Sequence, residues 1–591
     1  MRYILRVNMS DLSITKEDLP ASRARYGGRV LTSAIVFDEV PPTADPLGPD
    51  NVLVFAPGLL GGTSTPNGGR LSVGAKSPLT GGIKESNSGG QAANALGRLG
   101  IAAIVVTGKP ADPSARYQLT IEADGEASLS RIDQWAGAGN YAVADAIKGT
   151  RPEGDRYSTI TNGPAGEAGM RAAGIAISDM KGYPNRFAGR GGLGAVMGSK
   201  GLKAIVISDK GLGTPEHADK EAFSAAIKTF SAALKEHPVS GQALPTYGTN
   251  VLTNILSEAG GLPTRNFSSG TFEGAEATSG ERQREVILER GGDVQHGCHT
   301  GCVIQCSRYW VDKDGHYKTK GPEYETVWSF GADCGIDDLD DIAELDRACG
   351  DFGLDTIEMG ATMAVYMASG ALEFGDGKGA LAALKSVFEG GEPGRVLGDG
   401  AEATGKKFGV KNIPVVKHQA LPAYDPRSVM GIGVTYATST MGADHTAGYA
   451  VATNILKVGG DVDPLKPEGQ VELSRNLQIA TAMLDSFGLC IFVAFPVLDI
   501  PEAFTAIHEM AQAHTGQEWD VDALLQLGKE TLVYERLFNE RAGMGTADDR
   551  LPEFFITEEL PPHNVTFTVT DADLDTVFDF VPEVAKGMGL A

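Results

Sequence analysis

The apolar pattern of this sequence changes period near residue 210, and that change constrains what the chain can fold into. Before it stand short strand-like runs, "YILRVNM", "NVLVFAP", "AAIVVTG", "YQLTIEA" and "KAIVIS", separated by glycine loops. After it the spacing turns helical. In "HADKEAFSAAIKTFSAALKEH", Phe223, Ile227, Phe230 and Leu234 fall on one helix face. Helical patterns then dominate to the C-terminus, broken near residue 415 by "KNIPVVKHQALPAYDPRS" with its three prolines. A chain of 591 residues exceeds one hydrophobic core. The expectation is an α+β protein: a β-rich N-terminal domain over 1–210, then two mostly helical domains over 211–414 and 415–591.

Glycine is the unusual component, 77 of 591 residues, roughly twice the average usage of about 7%. Glycines let a backbone adopt positive φ and approach a ligand closely, so many glycine loops in a folded chain suggest a large polar ligand gripped by backbone. The net charge of -25 argues against nucleic acid as a partner and allows a redox partner with a basic docking face. No apolar run is long enough for a membrane span. Arg6 interrupts the apolar run at the N-terminus and no cleavage site follows, so no signal peptide is expected. The expected compartment is the cytoplasm, where thiols stay reduced and clustered cysteines suggest metal.

"HGCHTGCVIQCSR" holds Cys298, Cys302 and Cys306, half of the six cysteines. Thiolates this close can wrap one face of a cubane cluster that a distant cysteine closes; zinc more often takes two separated pairs. The fourth ligand is Cys334, Cys349 or Cys490. An internal echo favours Cys490. "ACGDFGLDTIE" and "MLDSFGLCIF" share Phe-Gly-Leu after an amphipathic segment. Gly353 and Gly488 can each end a helix in the left-handed conformation, and Asp355 can cap the next helix with Glu358 as its capping-box partner. Cys490 stands where Asp355 stands in the other copy.

Two glycine stretches supply anion-binding groups. "GGRLSVGAKSPLTGGIKESNSGG" offers Arg70, Lys76, Ser86, Asn87 and Ser88, with Gly89 and Gly90 exposing amides in a loop. "NRFAGRGGLGAVMGSKGLKAIVIS" carries Arg186 and Arg190 around a G-x-G-x-x-G at Gly189, Gly191 and Gly194. No strand is expected before it and no acidic partner follows at the required distance, so a dinucleotide is not its ligand. Glu323 and Glu325 in "GPEYETVWSFG", and Asp444 and His445 in "YATSTMGADHTAGY", could share proton transfer at a reacting carbonyl.

Together these motifs resemble the tungsten-containing aldehyde:ferredoxin oxidoreductase family over nearly the whole chain. The stretches from Arg70 through "SPLTG" to "SNSGG", and from Arg186 to Lys200, are similar to its N-terminal domain. Asp485–Cys490 matches its D-x-x-G-L-C turn in full. The resemblance implies that the β-rich domain is a base carrying a bis-pyranopterin cofactor (tungstopterin or molybdopterin), with tungsten or molybdenum on the cofactor's own dithiolene sulfurs and Mg2+ bridging the pterin phosphates. It implies a [4Fe–4S] cluster on Cys298, Cys302, Cys306 and Cys490. It puts Arg70, Asn87, Gly89, Arg186, Phe187, Gly189, Arg190, Leu354, Asp355, Asp485 and Leu489 at pterin-contacting positions, and Glu323 or Glu325, with His445, near the metal. The activity implied is aldehyde–carboxylic acid interconversion, with electrons passing to ferredoxin or an iron–sulfur subunit. Low-potential reduction of another carbonyl or an aromatic acyl-thioester is the enzymatic alternative, and electron transfer or cofactor storage the non-catalytic one. A homo-oligomer is compatible with the sequence.

The chain departs from the family pattern at four points. The first cysteine gap has three residues rather than two. Gly350 replaces the first aspartate of the D-x-x-G-L-D turn, leaving Asp351 next door as its candidate replacement. Thr446 and Ala447 follow His445, where aldehyde-oxidising members have a lysine two residues on. No Glu-x-x-His pair provides the intersubunit iron site of some members. These features suggest a divergent branch, similar to an enterobacterial subfamily.

Overall fold

The computed structural model describes residues 2–389, 391 and 393–590. Strands β1 (Tyr3–Asn8), β2 (Ser13–Asp18), β3 (Leu53–Pro57), β4 (Leu71–Lys76), β5 (Ile83–Ser88) and β6 (Ile101–Thr107) form a six-stranded sheet in the order β2-β1-β6-β3-β4-β5. Strands β7 (Tyr117–Ile121), β8 (Ala127–Arg131), β9 (Tyr157–Asn162), β10 (Ile175–Ile177), β11 (Arg186–Ala188) and β12 (Leu202–Ser208) form a second, in the order β11-β10-β9-β12-β7-β8. Read backwards, the second order is the first with six added to each number. The pairing senses match too: β1 with β6 and β7 with β12 are parallel, and the other neighbours are antiparallel. The β-rich base is thus a topological duplication. The five strand-like runs of the sequence correspond to β1, β3, β6, β7 and β12.

The hairpin β4–β5 corrects the reading of residues 68–90 as a loop. Its strands are buried almost throughout yet carry Ser72, Lys84, Glu85, Ser86 and Ser88, so no alternating apolar pattern marks them. A short strand, β11, also precedes the G-x-G-x-x-G, which corrects the expectation of none. It pairs antiparallel with β10 and is not the central parallel strand of a dinucleotide fold. The two sheets share one apolar core, with Leu5, Phe55, Val73 and Ile104 meeting Leu119, Ile160, Ile177 and Ile205.

The helix Lys220–Glu236 begins where the Asp219 side chain accepts from the amides of Glu221 and Ala222. It buries Phe223, Phe230 and Leu234 against the helix Pro501–Thr515. Helices Leu339–Phe352 and Gln470–Phe487 end at Gly353 (φ 78°) and Gly488 (φ 75°), as the echo predicts. The two turns dock on equivalent places of the duplicated base. Gly488 sits on Gly58, just after β3, and Gly353 on Gly163, just after β9. Among the described residues, no helix is long and apolar enough to cross a membrane.

Candidate functional site

Cys490 emerges from the second turn, its amide donating to the Asn67 carbonyl (2.9 Å). Cys302 and Cys306, both half-buried, pack in the same apolar cluster as Cys490. Asn67 orients the loop: its Oδ1 accepts from the Val303 amide (3.0 Å), and its Nδ2 lies 3.5 Å from Cys302 Sγ. Cys298 is buried against Gly89, where a Cβ would stand 3.0 Å from its sulfur. The Cys302 thiol, by hydrogen bonding, draws the Cys298 thiol well below its ordinary value. Burial pushes Cys306 upward, and Cys490 up to about 11. Cys334 and Cys349 belong to a different apolar cluster, and the Cys334 thiol donates to the Ser329 carbonyl (3.2 Å).

Beside the thiols lies a cradle of glycines and arginines. The hairpin register brings Arg70 to Asn87, with Nε donating to Oδ1 at 2.5 Å, while the Arg70 amide donates to Gly488 O (3.0 Å). Arg186 is buried between Cys298 and Glu323; its Nη1 donates to Glu323 Oε1 (3.2 Å), but Nε and Nη2 have no partner. Arg190 donates to the Ala443 and Ala420 carbonyls (2.9 and 2.7 Å) and to Glu358 (3.3 Å), while its Nε, without a hydrogen bond, lies 3.6 Å from Asp355 Oδ2. A Cβ on Gly189 would stand 2.4 Å from Asp355 Oδ1. Leu354 and Leu489 are fully buried in the two turns. Asp355 caps the helix Thr356–Ala368 by accepting from the Glu358 amide (2.8 Å). The reciprocal half of the expected capping box is absent, because the Glu358 carboxylate instead accepts from the Ala401 and Ala420 amides and Arg190. Burial raises Asp485 to about 6 and neighbouring Glu85 to about 8, opposed in both by Arg29. Arg29 itself forms a buried two-pronged pair with Glu535 (2.8 Å on each arm).

Two sequence candidates take other work. Lys76 donates to the Pro42 and Ala44 carbonyls rather than facing the cradle. Asp351 does not shift into the place of the missing aspartate: its Oδ1 accepts from the Tyr141 amide (3.1 Å) at the start of the helix Asn140–Thr150. Gly350 borders a cavity of about 40 Å³ lined by Tyr141, Asn185, Phe187, Leu354 and Asp355.

The carboxylates of "GPEYETVWSFG" separate. Glu323 precedes the helix Tyr324–Phe330 and turns to Arg186 and to Thr249 Oγ1 (3.0 Å). Glu325, in the first turn, reaches His445, with Oε1 3.3 Å from Nε2. Its Oε2 accepts from the Ala423 amide (3.2 Å), and the rings of Tyr424 and Tyr449 flank His445 with centroids 5.9 and 6.2 Å away. Burial pushes Glu325 up to about 8 and His445 down to about 4. Near neutral pH the pair therefore holds one proton, on the carboxyl, beside a neutral imidazole. Asp444 pairs with Lys84 of β5 (3.0 Å). Lys84, Glu85 and Arg29 escaped the sequence reading. The available signal was the pair of adjacent charges in "GIKESN", which a buried hairpin holds only when partnered.

Profile comparison matches residues 4–209 to "Aldehyde ferredoxin oxidoreductase, N-terminal domain" and residues 225–579 to "Aldehyde ferredoxin oxidoreductase, domains 2 & 3". The chain is similar to the tungsten-containing aldehyde ferredoxin oxidoreductase of Pyrococcus horikoshii, at 36% identity over 94% of this chain and 92% of that one. It is similar to the Pyrococcus furiosus protein of the same description at 35% identity over 94% and 91%. More distantly, it resembles the WOR-like subunit of an aliphatic sulfonate oxidoreductase of Pyrococcus furiosus, at 26% identity over 95% and 90%. Among solved structures, the active-site complex BamBC of benzoyl coenzyme A reductase with 1,5-dienoyl-CoA shares the fold, with a TM-score of 0.81 at 20% identity over 100% and 96% of the two chains.

Proposed function

Because this chain belongs to the aldehyde ferredoxin oxidoreductase family, we propose that it is a tungsto- or molybdopterin oxidoreductase that interconverts an aldehyde and a carboxylic acid. The observation that carries this reading is the buried guanidinium N–H groups of Arg186 and Arg190 that lack a hydrogen-bond acceptor in a glycine-lined cradle, with thiols on one side and Glu325–His445 on the other. Both guanidinium groups are ion-paired, but buried N–H groups without an acceptor are costly, and the pterin edges and phosphates of the family's cofactor would supply the missing acceptors. Arg70, Asn87, Gly89, Arg186, Phe187, Gly189, Arg190, Leu354, Asp355, Asp485 and Leu489 would hold the pterins, and Mg2+ would offset the charge of their phosphates. Cys298, Cys302, Cys306 and Cys490 are the proposed [4Fe–4S] ligands. A cytoplasmic location, where these thiols stay reduced, and a division at 1–210, 211–414 and 415–591 belong to the same reading.

When bound, the cofactor supplies a two-electron acceptor and a Lewis-acidic metal at the carbonyl. The net reaction adds water to the aldehyde and releases the acid, two protons and two electrons. His445 Nε2, neutral near pH 7, accepts a proton from the water, and the Glu325 carboxyl donates to and orients the carbonyl oxygen. The tyrosines around the pair restrict water in this part of the site. A [4Fe–4S] cluster held by Cys298, Cys302, Cys306 and Cys490 would supply a one-electron outlet toward ferredoxin or an iron–sulfur subunit.

Purified protein should contain about one tungsten or molybdenum and about four irons per chain, and should reduce a viologen dye when given an aldehyde. Protein without either metal overturns the reading. Metal-loaded protein that turns over only an acyl-thioester or another carbonyl supports the low-potential reductase reading, and loaded protein inert to all of them supports electron transfer or storage.

A further inference from the structure

Lys84, the second residue of β5, points into the helical half of the molecule, and its side chain is entirely buried. Its stem runs past Gly191, where a Cβ would stand 2.6 Å from Lys84 Cγ; φ there is +83°, which favours glycine in any case. Its ammonium lies 3.0 Å from Asp444 Oδ2. The other oxygen of Asp444 accepts from the Thr446 amide (3.0 Å) and the Thr446 hydroxyl (2.7 Å), capping the short turn that carries His445. On the other side of this anchor, the Ala443 carbonyl accepts from Arg190 (2.9 Å) and Gln419 (2.6 Å).

The His445 ring lacks comparable anchors. Nδ1 has no partner, and Nε2 meets Glu325 at 3.3 Å without a directed hydrogen bond. Its direction therefore follows from the backbone of the turn. We propose that the Lys84–Asp444 ion pair is a positioning device: it reaches from the β-rich base, holds the His445 turn against Glu325, and controls when that imidazole takes a proton. The inference rests on the role given to His445 above.

The charges around the ring give the device its sign. Asp444 on the turn favours the imidazolium; Lys84 from β5 and Arg190 from the glycine stretch oppose it. Glu325, from the helix Tyr324–Phe330, is protonated near neutrality and faces Nε2, while Tyr424 and Tyr449 present rings. A buried ion pair seldom repays its desolvation as stability. Its use here is geometric, since it ties an element of the base to a turn in the helical half.

The test compares holoenzyme with Lys84→Met, Lys84→Arg and Asp444→Asn. Lys84→Met should keep tungsten or molybdenum and iron, lose about 10–100-fold in kcat, and leave KM nearly unchanged. The His445 resonance in 13C-histidine NMR, assigned by its loss in His445→Gln, should titrate about one pH unit higher. In Asp444→Asn it should titrate lower, because the favourable anion is gone. The acid limb of the pH–rate profile should follow the resonance in each variant, and Lys84→Arg should restore most of kcat. Unchanged kcat and titration in Lys84→Met, shifts of the same sign in Lys84→Met and Asp444→Asn, or loss of metal from both Lys84 variants would each overturn the proposal. The NMR titration needs no substrate, so an absence of aldehyde turnover in the wild type counts against the reaction while the titration still decides the positioning role.

Discussion

At the scale of residues, the cysteines divide by their surroundings. Cys490 shares a cluster with Cys302 and Cys306, whereas Cys334 and Cys349 are packed in a different one. Cys490→Ala should therefore abolish the cluster's visible absorbance and electron paramagnetic signal, while Cys334→Ala and Cys349→Ala preserve both. An intact cluster in Cys490→Ala rejects the ligand set. The Glu325–His445 pair predicts a bell-shaped dependence of kcat/KM on pH. As pH falls through about 4, His445 gains a proton and ceases to be a base; as pH rises through about 8, Glu325 loses its proton and ceases to be a donor. Glu325→Gln should remove the basic limb. His445→Ala should lower turnover about 10²–10⁴-fold with metals retained. Near-normal turnover would make His445 structural, and loss of tungsten or molybdenum would move it to cofactor binding.

At the scale of elements, each helix-ending turn is laid on a glycine of the base. A Cβ on Gly58 would come within 2.0 Å of Gly488 N, and one on Gly163 within 2.3 Å of Phe352 O. Both obstacles are backbone and cannot rotate away. Gly58→Ala and Gly163→Ala should each cost about 1–3 kcal/mol and lower the pterin content, measured by fluorescence of the oxidised pterin released on denaturation. Gly149 is the control: it lies inside the helix Asn140–Thr150 with nothing within 4 Å of a Cβ. Gly149→Ala should be neutral or stabilising by about 0.5–1 kcal/mol. Normal melting of the Gly58 and Gly163 variants would show that the turns can move off the base.

At the scale of the whole molecule, the duplicated sheet decides what the G-x-G-x-x-G can bind. β11, which leads into it, is the edge strand of an antiparallel run, and β12, which follows the helix Leu193–Ser199, pairs with β7 and β9 instead of β11. No parallel strand–helix–strand crossover links β11 to β12, so the segment lacks the crevice in which a dinucleotide lies. NADH and NADPH titrated into the protein should show no saturable fluorescence change; tight binding that competes with pterin retention would contradict this.

Local chemistry was legible in the sequence alone. Left-handed helix ends at Gly353 and Gly488, the amphipathic face of Lys220–Glu236, the strand-to-helix change near residue 210 and the cysteine run all follow from spacings of a few residues. Long-range pairing was not legible. That Glu325 rather than Glu323 meets His445 depends on two segments brought together from different parts of the chain. The hairpin β4–β5 was hidden because its buried strands carry polar residues whose partners lie elsewhere: Lys84 on Asp444, Glu85 beside Asp485 and Arg29. A buried charge reads in sequence as a surface charge. Only the tertiary structure supplies the partner that offsets its desolvation, and so only the tertiary structure decided which buried polar residues meet.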